Sequence, residues 1–346
     1  MALILSGVGV LQIYSATHET KWADAWWKQI LFVGAGLVLM WILSSVDYHS
    51  FLGQVPILYG ASIVLLLTVL VLGKKEFGSR RWIELFGVSL QVSEFVKLVV
   101  ILLVARFLTE IKTELVEGRD LLKLGGLLAV PMGLIAMQPD LKTALTFVPV
   151  LAAGVFLAGL QWRYWIVIGL VAVVVPPIAW YGLKDYQRTR IVSFMNPDGD
   201  PQGSGYQQIQ SRIAVGAGGM WGKGVTKGSQ TQLRFLPVPH NDFIFSAFAE
   251  EHGFVGVIVA LTLYFGLIMQ VIQNAQTAPD RAGMYVCMGV VALLLFHLLV
   301  NVGMVIGRMP VTGIPLPLMS AGGSNTLTTF MLLGLVNNVH LRRFVN

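Results

Sequence analysis

Apolar residues in this chain fall in long, nearly unbroken runs rather than in the short periodic patterns of half-buried strands and helices. About 20 mostly apolar residues, rising 1.5 Å each, are needed to cross about 30 Å of hydrocarbon as a helix. Ten runs are candidates for such spans, at approximately residues 1–16, 26–46, 55–73, 92–108, 121–138, 143–161, 164–183, 254–275, 283–306 and 318–338. They predict an all-α integral membrane protein with ten transmembrane helices, one polytopic domain over residues 1–346. A polar stretch at 184–253 predicts a large loop between helices 7 and 8. The first run is short for a span, so it is either tilted or part of a longer upstream segment. It lacks the basic start and A-x-A site of a cleaved leader. No 20- to 50-residue repeat and no heptads are visible.

Composition supports the bilayer as solvent. Of 346 residues, 55% are hydrophobic and 12% charged, about half the charge of a soluble domain, and the mean hydropathy is +0.72. The single cysteine, Cys287, excludes an intrachain disulfide, a cysteine-based zinc site and an iron–sulfur cluster, and it reads as a small buried hydrophobe. A net charge of +6 in so apolar a chain points to a lipid headgroup or lipid-linked phosphate rather than nucleic acid. An even number of spans puts both termini on one side. Short-loop Lys and Arg number eight on each side, so the positive-inside rule leaves orientation open. The tie suggests that some basic residues are kept to bind an anion.

Polar residues out of place carry the candidate chemistry, because a charge at the centre of a span costs about 2.5–3.5 kcal/mol even on mild scales. In QVSEFVKLVV, Glu94 and Lys97 stand three apart on one helix face and can neutralise one another, as a functional pair or as a packing device. The connecting loop before it, GSRRWIEL, offers Arg80, the planar donor fork of Arg81, suited to a phosphate oxygen, and Trp82, an interfacial anchor. In MQPDLKTA, Pro139 enforces a break and Asp140 either caps the next helix or binds substrate.

The 184–253 stretch holds nine glycines between Gly199 and Gly228, irregular backbone able to approach a ligand closely. YQQIQSRIAVG predicts a short interfacial helix. AGGMWGKGV echoes a P-loop but lacks its first glycine and its Ser or Thr after the lysine, so no nucleotide site is implied. In FLPVPHNDFIF, Asp242 opens a segment running into the eighth span beside Phe243 and Phe245. Desolvation there would favour a general base, whereas N-capping by Asn241 or Asp242 would act the other way. RMPVTGIPLPLMSAGGSN breaks the chain before the tenth helix and presents Ser320, Gly322, Gly323 and Ser324 where a helix N-terminus can meet an anion.

These motifs together are similar to the shape, elongation, division and sporulation (SEDS) family of bacterial membrane proteins, and to its RodA branch. RRWIEL, LQVSEFVK, QPDL, DYQRTRI, DPQGSGYQQIQSRIAVGAGGMWGKG, FLPVPHNDFIF and PLPLMSAGGS occur in family order across nearly the whole chain. Departures from the family pattern are Val92 for Pro, Lys142 for Gly, Asn241 for Thr and Ala321 for Tyr. The resemblance implies a multi-pass protein of the bacterial inner membrane with cytoplasmic termini and residues 184–253 extracytoplasmic. It implies a peptidoglycan glycosyltransferase that polymerises lipid II beside a class B penicillin-binding protein. The family's essential aspartate falls on Asp242, its Glu and Lys pair on Glu94 and Lys97, and its loop arginine on Arg190; Arg81, Asp140, His240, Ser320, Gly322, Gly323 and Ser324 complete the substrate-binding expectation.

That chemistry joins the 4-hydroxyl of an acceptor sugar to C1 of a donor with inversion, and needs one base but no protein acid, because diphosphate leaves as a stabilised anion. Asp242 is the expected base, with Arg81, Lys97 and Arg190 receiving the diphosphate. Asp242 as ligand of a divalent cation, Mg2+ or Mn2+, is the alternative, and no organic cofactor is expected. The rival function is a lipid II flippase, for which polar groups between broken helices also serve, and a third is a noncatalytic scaffold.

Overall fold

The computed structural model describes the chain except residues 77–78, 86–87, 112–114, 184, 204 and 344–346, and except the side chains at 74–76, 79–80, 85, 88, 172, 175–176, 179 and 186. Lys112 and Lys184, and the side chains of Lys74, Lys75 and Arg80, lie outside the described residues. The protein is mostly helical. Its elements are α1 (Ala2–Thr17), α2 (Ala25–Ser45), α3 (Tyr48–Gly53), α4 (Val55–Leu72), β1 (Lys74–Glu76), β2 (Ser79–Leu85), β3 (Val88–Gln91), α5 (Val92–Glu110), α6 (Gly118–Met137), α7 (Leu141–Leu145), α8 (Phe147–Ala158), α9 (Trp162–Gly182), α10 (Asp185–Met195), α11 (Tyr206–Ala217), α12 (Ser229–Gln232), α13 (Ile244–Gln276), α14 (Arg281–Val305) and α15 (Gly323–Leu341). Among the described residues six helical segments, α2, α4, α6, α7 with α8, α13 and α14, are long and apolar enough to cross a membrane.

Each apolar run of the sequence is helical over most of its length, the tenth only from Gly323, and three further local departures stand out. The run at 143–161 is two helices, α7 and α8, meeting at Thr146, whose hydroxyl donates to the Thr143 carbonyl at 2.6 Å. The eighth run begins earlier, at Ile244, because α13 continues through a break at Gly253, whose φ is +66°. The expected loop at Arg80–Trp82 is instead the middle strand of an antiparallel sheet ordered β1-β2-β3, with Trp82 opposite Gln91 and Ile83 opposite Leu90. The expectation of an all-α chain is corrected to that extent.

The chain forms two compact units. The first comprises Met1–Trp26, Leu160–Tyr264 and Leu298–Ala321. Here the proline-rich 310–321 segment is irregular yet interior: Ile314, Leu316, Leu318, Met319 and Ser320 are all buried. Gly9 of α1 lets the backbone at Met319 approach, since a Cβ there would lie 2.6 Å from the Met319 Cα. The glycines at 218 and 222 admit close contact too, but to the α13 backbone: a Cβ on Gly218 would lie 2.0 Å from the Ala249 carbonyl oxygen.

The second unit comprises Trp27–Gly159, Phe265–His297 and Gly322–Asn346. Its centre is α5, buried on nearly every side through Val96, Val100, Ile101, Leu102, Val104, Ala105 and Leu108. Close helix packing there depends on small residues, as expected where lipid offers no hydrophobic drive for association. A Cβ on Gly154 of α8 would meet Val104 at 2.7 Å, and one on Gly289 of α14 would meet Ile101 at 2.9 Å.

Candidate active site

In the second unit Asp140 stands at the N-cap position of α7, but its carboxylate does not cap the helix backbone. It is 1% exposed and accepts from Gln91 Nε2 at 2.6 Å and from Thr143 Oγ1 at 2.9 Å. Arg81 on β2 adds an ion pair, Nη1 to Oδ1 at 3.6 Å. The guanidinium keeps a buried Nε hydrogen with no hydrogen-bond partner among the described residues. Gln91 is fixed as well: its Nε2 reaches Ser93 Oγ at 3.0 Å, and its backbone N–H donates to Ser324 Oγ at 2.8 Å. The hairpin therefore delivers Arg81 and Gln91 to one carboxylate, while Ser324 ties the first turn of α15 to the same place.

One turn into α5, Lys97 Nζ donates to both oxygens of Glu94 at 2.9 Å, and both side chains are buried. The expected i, i+3 pair is present, and His297 Nε2 stands 3.4 Å from the same ammonium. At the head of α15, the Gly322 N–H donates to Gln29 Oε1 at 3.3 Å, and Gln29 Nε2 donates to Thr326 Oγ1 at 2.8 Å. Gly323 admits the Phe32 ring, which a Cβ would meet at 2.5 Å. Part of that helix terminus is thus engaged by α2.

The first unit carries Asp242, half-buried in the turn that starts α13. Its backbone is held from two directions. Asn301 Nδ2 donates to the Asp242 carbonyl at 3.0 Å and to the Ile314 carbonyl at 2.8 Å. Ser320 Oγ donates to the Asn241 carbonyl at 2.7 Å and accepts from the Leu316 N–H at 2.8 Å. The Ala321 N–H donates to the His240 carbonyl at 2.9 Å. Ser320, fully buried, thus helps hold the turn. His240 packs its ring on Trp22, centroids 5.7 Å apart. Burial holds its imidazole below the usual histidine range, neutral at pH 7. Arg190 on α10 is exposed and reaches the Thr312 carbonyl at 3.4 Å.

Beyond this turn, α13 carries two buried carboxylates that the sequence showed only as loop charge. Glu250 accepts from Lys223 Nζ at 2.9 Å, the Gln230 N–H at 2.8 Å, and Thr231 through its N–H at 3.1 Å and hydroxyl at 2.9 Å. Glu251 accepts from Gln12 Nε2 at 3.2 Å and Ser15 Oγ at 2.5 Å. These bonds fasten the 223–232 segment and α1 to the helix that begins beside Asp242. Asn301 and His297, lone polar residues in an apolar run, gave a signal of the kind that marks function in membranes; Gln91 and Thr143 gave none.

The described residues separate into two sets: Asp242, His240, Arg190 and Ser320 in the first unit, and Arg81, Glu94, Lys97, Asp140, Gly322, Gly323 and Ser324 in the second. Among the described residues no three His, Cys, Asp or Glu side chains gather into a metal-holding group. Chemically, the first set offers a carboxylate on a buttressed turn, and the second offers cations beside buried carboxylates.

A sequence model of the FtsW, RodA and SpoVE cell cycle proteins matches residues 1–344. Peptidoglycan glycosyltransferase MrdB of Escherichia coli (strain K12) is 39% identical over 328 residues, 91% of this chain and 85% of that protein. Stage V sporulation protein E of Bacillus subtilis (strain 168) is 34% identical over 351 residues, 98% of this chain and 94% of its own. Among solved structures, one described as "Structural coordination of polymerization and crosslinking by a peptidoglycan synthase complex" superposes with a TM-score of 0.86 at 34% identity, covering 100% of this chain and 97% of the other. The rod shape determining protein RodA of Thermus thermophilus gives a TM-score of 0.74 at 29% identity, covering 100% and 96%. With a family match over nearly every residue and relatives aligned along almost their full lengths, the chain belongs to the FtsW, RodA and SpoVE family of cell cycle proteins.

Proposed function

We propose that this chain is a peptidoglycan glycosyltransferase that polymerises lipid II in the bacterial inner membrane, with Asp242 as its general base. The activity is that of the relatives named MrdB and RodA, of which this chain spans nearly the whole. The observation that carries the residue assignment is the Asp242 turn: a half-buried carboxylate whose backbone is bolted to the 310–321 segment by Asn301 and Ser320. A base must be held within hydrogen-bond reach of the proton it takes, and a turn fixed on both sides provides that.

In the reaction, the acceptor sugar's 4-hydroxyl oxygen forms a bond to the donor's C1 from the face opposite the leaving group. The hydroxyl proton passes to Asp242, and the C1–O bond breaks with its electrons on undecaprenyl diphosphate. Arg190, Arg81 and Lys97 supply positive charge for that anion. Glu94 sets the position of Lys97, while Gln91 and Thr143 hold Asp140. The unmet Nε hydrogen of Arg81 suits a phosphate oxygen. A divalent cation on Asp242 is the alternative role; the chain gathers no multi-ligand cage for one among its described residues, so no step is routed through it.

The ten apolar helices serve as ten spans of one polytopic domain, with cytoplasmic termini and residues 184–253 outside. The partner that crosslinks the product is a class B penicillin-binding protein, a reading supported by the synthase-complex structure that this fold matches. Purified protein given lipid II, with and without chelator, tests the assignment. Asp242→Asn should abolish polymer while remaining folded; polymer from that variant at the parental rate removes Asp242 as base, and a flippase would be indifferent to the change.

A further inference from the structure

Lys97 has three ammonium hydrogens, and three acceptors surround them. Two are the oxygens of Glu94, each 2.9 Å from Nζ. The third is Nε2 of His297, on α14, at 3.4 Å. Glu94, Lys97 and His297 are 5%, 3% and 2% exposed, so bulk water does not replace a missing acceptor. An ammonium group donates and never accepts. The contact therefore requires a bare Nε2, which makes His297 a neutral imidazole with its proton on Nδ1.

We infer that His297 is a positioning residue that fixes the direction of the Lys97 ammonium. Glu94 cannot do this alone. It lies on the same helix, so the two side chains can change rotamers together and keep their bond while moving the charge. An acceptor on a second helix removes that freedom, because satisfying all three hydrogens leaves one placement of Nζ. The inference rests on the reading that Lys97 serves the reaction. Removing the His297 acceptor leaves a buried ammonium hydrogen unmet and lets the charge wander from the position where it meets the departing diphosphate.

The test uses full-length purified protein polymerising lipid II, with the unfolding midpoint as a check on folding. The variants are Lys97→Met, His297→Leu, His297→Gln and the double change. His297→Leu should lower kcat about ten- to a hundredfold with KM little altered, the range for losing one hydrogen bond to a charged group. Glutamine's amide oxygen falls near the place of Nε2, so His297→Gln should recover most of the rate. The double variant should be no slower than Lys97→Met alone, because His297 acts only through that lysine. An inactive Lys97→Met beside a fully active His297→Leu overturns the role given to His297, and a fully active Lys97→Met overturns the reading of the lysine itself. If His297→Leu does not fold, His297→Gln against His297→Asn decides: asparagine is too short to reach Nζ, so equal rates for the two overturn the inference.

Discussion

Asn301 and Asp242 are joined through the backbone: the asparagine amide spans from the Asp242 carbonyl at 3.0 Å to the Ile314 carbonyl at 2.8 Å, and so locks the start of α13 to the proline-rich segment. Asn301 is fully buried, so Asn301→Ala removes the one amide that donates to both the half-buried Asp242 carbonyl and the buried Ile314 carbonyl. The expected cost is about 1–3 kcal/mol of stability. Polymerisation should fall further than that loss of folded protein explains, because the catalytic turn is released. Unfolding midpoints beside specific activity measure the two separately, and activity that simply tracks the folded fraction refutes the buttress.

Asp242→Asn keeps the shape of the side chain and removes its basicity. Polymerisation should drop at least about a hundredfold, the lower bound for a positioned general base, with the unfolding midpoint nearly unchanged. Gel analysis of glycan products from lipid II reads this directly.

Glu250 holds five donor groups from the 223–231 segment, those of Lys223, the Ser229 hydroxyl, the Gln230 N–H, and the Thr231 N–H and hydroxyl, and is 0% exposed. Glu250→Ala removes the acceptor of four donors at residues 229–231 and the carboxylate partner of Lys223, which keeps its bond to Ser229 Oγ at 2.7 Å. It should destabilise by about 3 kcal/mol, the low end for a broken buried pair because Lys223 also retains some water. Glu250→Gln keeps acceptor capacity at one oxygen and should cost less. Should protease cut the 223–232 segment no faster in Glu250→Ala than in the parent, the clamp is not holding it.

His49 stands between Asp280 Oδ2 at 2.6 Å and Asp47 Oδ1 at 3.0 Å. Burial works against its charge, but the two carboxylates outweigh burial and raise its pKa above 6.5. Protonation thus favours the folded state. The stabilisation is complete below about pH 6.5 and is lost as pH rises through the raised value. Asp47, held low chiefly by the His49 backbone N–H, gives up its contribution only in acid, below this window. His240, whose pKa is lowered, has the opposite sign: its contribution is present above pH 6.5 and lost on acidification. Comparing parent with His49→Gln cancels His240. The gap in unfolding midpoint should be widest near pH 6 and close on the alkaline side; a gap independent of pH contradicts the bridge.

A Cβ at Gly253 would fall 2.3 Å from the Gly222 nitrogen, in a residue with φ of +66°. Gly253→Ala should therefore destabilise by at least about 1 kcal/mol, more than an exposed-helix change, as scanning calorimetry in detergent would register.

The helical character of the apolar runs, including the six segments long and apolar enough to cross a membrane, was legible because a run of apolar residues constrains its own structure, whatever lies elsewhere in the chain. The Glu94 and Lys97 pair was legible for the same reason, since three residues of helix bring them together. The β2–β3 hairpin was hidden: SRRWIEL and VSLQ are short, and their pairing shows only once Trp82 is set opposite Gln91. Asp140 was visible as an odd charge, but its partner Gln91 lies 49 positions away. Glu250 and Glu251 read as loop charge because their donors, from Gln12 to Thr231, are separated from them by chain that periodicity cannot fold. The glycines of the long loop read as backbone able to approach a ligand closely, whereas those at 218 and 222 approach the chain's own helix.

The hydrogen bond from Ser15 to Glu251 joins residues 236 positions apart. At about 5–20 residues per second of synthesis, α1 leaves the ribosome roughly 10 to 50 seconds before its acidic partner exists. Until then Gln12 and Ser15 lack the carboxylate that accepts their hydrogen bonds in the folded protein. Assembly of the first unit is therefore a late event, completed only after most of the polypeptide has been translated.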